Sequence, residues 1–109
     1  MKMKLYQINL ERDAGRLAFA PLSHMIRFGH VPASEIPQVP SGSYDLVFDG
    51  EVEATDYEDA FRVFNVDHPK GYTGRSMSVS DILVTRRGAF FCDSFGFQQV
   101  LFDESAAKH

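Results

Sequence analysis

Polar and apolar residues alternate over positions 3–10, which predicts a strand with Tyr6, Ile8 and Leu10 on one side and Met3 and Leu5 on the other. Glu11 to Gly15 reads as a turn. Leu17-Ala18-Phe19-Ala20 is expected to return as the second arm of a hairpin. Pro21 suits the start of a short helix, where its missing N–H costs little; Leu22, Met25 and Ile26 form the buried stripe and Gly29 the stop. Pro32, Pro37 and Pro40 make 30–42 a surface loop. Residues 43–48 resume as a strand. A second helix is predicted over 56–65. Tyr57, Ala60, Phe61 and Phe64 fall on one face, Thr55 and Glu58 have capping-box spacing, and Asp56, Glu58 and Asp59 put negative charge at the positive end. After a loop over 66–76, segments 77–85 and 89–97 read as hairpin arms around Arg86-Arg87-Gly88. Strands and helices mix without regular βαβ alternation. The expected fold is therefore α+β, with a mainly antiparallel sheet of about five strands, two helices and a C-terminal β-hairpin.

The length of 109 residues fits a single domain, 1–109, with one modest core. Ten phenylalanines, four tyrosines and no tryptophan point to a core built on Phe rings. A formal charge of −4 disfavours nucleic-acid binding through a broad basic face. The lone cysteine, Cys92, excludes an internal disulfide and a Cys-rich zinc site. No run spans a bilayer, and Met1 to Leu10 lacks the apolar stretch of a signal peptide, so a cytoplasmic location is the expectation.

The C-terminal hairpin carries the sharpest chemical question. With a three-residue loop at 86–88, Thr85 faces Ala89, Leu83 faces Phe91, and Asp81 faces Asp93 in the middle of an apolar face. Three readings follow. The carboxylates pin a neighbouring loop through its amides, the hydroxyls of Thr73 and Ser76, or Arg75. Or the register differs: a two-residue turn at Arg87-Gly88 brings Asp81 opposite Ser94, and a bulge near Gly96 moves Asp93. Or the two form a pair for acid–base work or a divalent ion, for which two aspartates alone are a poor ligand set.

Other candidates are thinner. His68, before Pro69, is a general base only if carboxylates lie beside it. Cys92 sits beside Asp93, which raises rather than lowers a thiol pKa. Ser76, Ser78 and Ser80 share a strand face without a nucleophile-elbow pattern. Gly71 and Gly74 are too sparse for a phosphate loop, and no metal-ligand spacing occurs, so no cofactor or metal is expected.

The run Phe61-Arg-Val-Phe-Asn-Val-Asp-His-Pro-Lys-Gly-Tyr-Thr-Gly-Arg-Ser-Met-Ser-Val-Ser-Asp-Ile-Leu-Val84, followed by Cys92-Asp-Ser-Phe-Gly-Phe97, resembles the YodL-like domain family. The matching elements are FN-x-D-x-P, TG-x-S-x-SVSD and a closing DS-x-GF, within roughly residues 55–100. The resemblance implies a setting in bacteria and their phages, plasmids and conjugative elements. It transfers no enzymatic mechanism and no catalytic residue. It does mark His68, Thr73, Gly74, Ser78, Ser80, Asp81, Asp93, Ser94 and Gly96 as motif positions of structural or functional weight. The expected role is a non-catalytic module that binds a host or element protein. The alternative is a small enzyme or ligand-binding domain using Asp81, Asp93 and His68.

Overall fold

The structure, a computed structural model, describes all residues 1–109. Its elements are β1 (Lys2–Ile8), α1 (Leu10–Asp13), α2 (Leu22–Arg27), β2 (Gln38–Val39), β3 (Tyr44–Glu51), α3 (Tyr57–Val66), β4 (Ile82–Thr85), β5 (Gly88–Cys92) and β6 (Phe97–Phe102), with a 3-10 turn at Glu104–Ala106. One six-stranded sheet runs in the order β2-β6-β5-β4-β1-β3. Every pairing is antiparallel except β2 with β6, so the α+β fold carries a mixed sheet.

Both faces of the sheet are covered. The alternation of β1 divides its side chains as the sequence predicts. Tyr6 and Ile8 join Leu22 and Met25 of α2, Tyr44, Ile82 and Phe91 in one core. Met3 and Leu5 join Phe48, Leu83 and the α3 residues Ala60, Val63 and Phe64 in the other. Strand β3 serves both cores because it contains a β-bulge. Tyr6 pairs with Leu46 but Leu5 pairs with Phe48, so Val47 is the extra residue. Tyr44 and Leu46 consequently face the first core and Phe48 the second, although all three are even positions.

Several local expectations are corrected. Residues 17–20 do not form a strand. The buried carboxylate of Asp13 accepts hydrogen bonds from Leu17 N (2.9 and 3.0 Å) and Ala18 N (3.0 Å), which bends the chain into turns. Asn9, whose side chain accepts from Arg12 N, starts α1 where a turn was expected. The cap of α3 is Asp56 rather than Thr55: its side chain accepts from Asp59 N, while Asp59 accepts from Thr55 N. The second hairpin arm ends at Cys92, and β6 follows as a separate strand after the turn at 93–96.

The hairpin register also differs from both alternatives weighed. Thr85 pairs with Gly88 and Ile82 with Phe91, so the turn is Arg86-Arg87. Neither arginine adopts a positive φ; Gly88, at φ 128°, absorbs the twist instead. The bonds Cys92 N to Asp81 O (2.8 Å) and Ser80 N to Cys92 O (2.9 Å) then set Asp81 opposite Cys92. Asp93, one residue on, belongs to the other face. The two aspartates do not meet.

Candidate functional site

The segment after α3 lies over the second core and is fastened there by polar groups. Asn65, in the last turn of α3, donates from Nδ2 to Met77 O (3.0 Å) and accepts from Met77 N. Gln7 continues the Met3-Leu5 face of β1 and is buried. Its Nε2 donates to Arg75 O (2.9 Å) and Asp81 Oδ2 (3.0 Å), and its Oε1 accepts from Arg75 N (3.1 Å). Tyr72 also donates to Arg75 O, and Arg75 donates to Ile8 O (3.0 Å). Gly74 is required by space: a Cβ there would lie 2.5 Å from Gln7 Oε1 and 2.8 Å from the Tyr72 hydroxyl.

Asp81 is the centre of this polar knot and is 0 % exposed. Its Oδ2 accepts from Gln7 and from Ser78 N (3.0 Å); Oδ1 has no protein partner, nor do the neighbouring Ser78 Oγ and Arg75 Nε. Burial pushes the Asp81 carboxyl up to about 7, against the pull of Gln7, Ser78 N and Arg75. Burial, with the Asp81 charge, pushes the Tyr72 phenol up to about 12. Burial likewise pushes the Cys92 thiol up to about 12, with Asp81 and then Asp93 adding to it, so Cys92 is no thiolate near neutral pH.

The other motif residues are spread around this centre. Ser80 is buried; its Oγ accepts from Phe19 N (3.0 Å) and its carbonyl accepts from the Tyr44 hydroxyl (2.7 Å). Asp93, half-buried on the opposite face, accepts from Leu22 N at the start of α2 (3.3 Å) and from Ser94 N (2.9 Å). Gly96 closes the 93–96 turn at φ 73°. Thr73 is exposed and makes no side-chain hydrogen bond. His68 is exposed and stands edge-on to Tyr72, 5.3 Å between centroids. His68, Asp81 and Asp93 thus occupy three separate environments, and no three His, Cys, Asp or Glu side chains converge as metal ligands. An open groove of about 810 Å³ lies elsewhere, between Lys2, Lys4, Glu51, Tyr57 and the Arg86-Arg87 turn, and contains none of the motif residues.

Sequence reasoning missed Gln7, Asn65, Tyr44 and Phe19. Gln7 had a readable signal, a polar residue on the otherwise apolar Met3-Leu5 face. Phe19 had none: it adopts φ 65°, in the left-handed region that disfavours a bulky side chain, and its bonding partner Ser80 does the same at φ 85°. The Phe19 ring is half-exposed, with the Arg75 guanidinium 5.2 Å from its centroid.

No helix is long and apolar enough to cross a membrane. The family model for the YodL-like domain matches residues 2–102, and the chain belongs to that family. Neither curated proteins nor solved structures give a match.

Proposed function

We propose that this member of the YodL-like domain family is a non-catalytic protein-interaction module, carried by a phage, plasmid or conjugative element and acting in the cytoplasm on a host or element protein. The observation that carries this reading is Phe19. Two non-glycine residues in contact, Phe19 and Ser80, hold left-handed backbone, and the result is a half-exposed aromatic ring stacked with Arg75. Each such residue costs about 1–3 kcal/mol, a cost that persists where the strained geometry serves binding. An exposed aromatic beside an arginine is the composition that protein contacts favour. The charge of −4 speaks against nucleic acid as the partner.

The enzyme reading needs Asp81, Asp93 and His68 in one open cleft. The aspartates lie on opposite faces of the sheet and Asp81 is enclosed, which favours the interaction reading. The test is affinity capture from native lysate, comparing the parent chain with Phe19→Ala. A reproducible protein partner lost in the variant is expected. Capture unaffected by Phe19→Ala, or no reproducible partner, counts against this role.

A further inference from the structure

The two edges of the sheet are finished differently. On β3, Leu46 N donates to Lys108 O (2.8 Å) and Lys108 N donates to Tyr44 O (2.9 Å), while Asp45, Asp49 and Glu51 line the strand with negative charge. On β6, the sequence Phe-Gln-Gln-Val-Leu-Phe carries no charge. β2 covers only Leu101 and Phe102, through contacts that include Leu101 N to Pro37 O (2.8 Å). The bond from Asp93 N to Gly96 O directs the even-numbered main-chain groups of β6 toward β5. The odd-numbered groups point outward. The N–H and C=O of Phe97 and Gln99 therefore face outward with no protein partner.

We propose that β6 pairs antiparallel with β6 of a second copy of this chain, about a two-fold axis through Gln98. In that register Phe97 of each copy lies opposite Gln99 of the other. Four main-chain hydrogen bonds form and all outward groups of both residues are used. Pairing stops where β2 begins, at Leu101. The turn residue Phe95, 98 % exposed, then falls against Leu101 of the second copy, itself 53 % exposed, next to Ile36. The arrangement is self-complementary: one donor–acceptor pair on each side of Gln98, no like charges facing, and an exposed ring meeting an exposed aliphatic pair. An uncharged open edge is otherwise a template for uncontrolled pairing. This inference does not depend on the interaction role above, because it uses neither Phe19 nor Arg75.

Sedimentation equilibrium of the full chain tests it, with circular dichroism to verify folding of each variant. The expected mass moves from 12.3 kDa toward twice that value as concentration rises. Gln99→Pro removes an outward N–H that β5 does not use, so the fold is retained and the dimer weakens about tenfold or more. Gln98→Lys and Gln98→Glu each weaken self-association about fivefold by placing like charges across the axis, and an equimolar mixture of the two recovers dimer. A monomer mass maintained up to about 1 mM overturns the proposal. So does a dimer indifferent to Gln98 substitution, which would mean that another surface associates or that β6 serves a different partner.

Discussion

Two aspartates are fully buried, and they are satisfied in opposite ways. Asp13 uses both oxygens, taking bonds from Leu17 N and Ala18 N at 2.9–3.0 Å, and so shapes a turn. Asp81 uses one oxygen, with Gln7 and Ser78 N as donors, and leaves the other without a protein partner. The difference separates two uses of a buried carboxylate. A fully bonded one fixes local backbone. A half-bonded one ties distant segments together but makes stability depend on its proton.

The largest expected effect follows from that proton. Below about pH 4 Asp81 is protonated in the folded and unfolded chains alike. Between there and its folded value of about 7, the folded chain holds a proton that the unfolded chain has lost. Its contribution to stability therefore falls as pH rises through this window and is flat above it, by on the order of 4 kcal/mol in all. The lowered values of Asp45, Asp59 and Glu104 act in the opposite sense below about pH 4, so the comparison belongs between pH 4.5 and 7.5. Urea unfolding should show the decline in the parent chain and a much flatter profile in Asp81→Asn. Equal slopes would mean that Asp81 is charged throughout.

Asp13→Ala strands two buried N–H groups and should cost about 3 kcal/mol at any pH in that window, measured the same way. A pH-dependent cost would erase the contrast with Asp81. Gly74→Ala forces a methyl into Gln7 and Tyr72 and should cost about 2–3 kcal/mol, with faster amide exchange through 72–81 than through 13–18. Smallest, Asp93→Ala removes an acceptor from Leu22 N and Ser94 N at a partly exposed site and should cost about 1 kcal/mol. A larger loss would make Asp93 as central as Asp81.

How much of this was legible depended on whether the information was local. The β1 alternation and the α3 stripe are written in consecutive side chains, and both appear as read. The hairpin register was not readable because Arg86-Arg87 lacks the Asn-Gly or Asp-Gly signature of a two-residue turn, with the conformational work passed to Gly88. That slip alone moved Asp93 to the wrong face. Asp13 looked like a solvated turn residue, since its partners become visible only once the chain has bent around it. β6 was hidden because Gln98 and Gln99 break the apolar alternation, as the rim of a sheet allows.

The extra residue at Val47 has a consequence for the chain's tolerance of length changes. It acts as a one-position frameshift inside β3, assigning Tyr44 and Leu46 to one layer and Phe48 and Val52 to the other. Deleting a single residue from an ordinary loop shortens a connection. Deleting one here would turn the distal half of the strand inside out, exchanging its inward and outward side chains. Insertions and deletions compatible with this domain should therefore collect in 30–42 and spare 44–52, even though both segments lie at the margin of the same sheet.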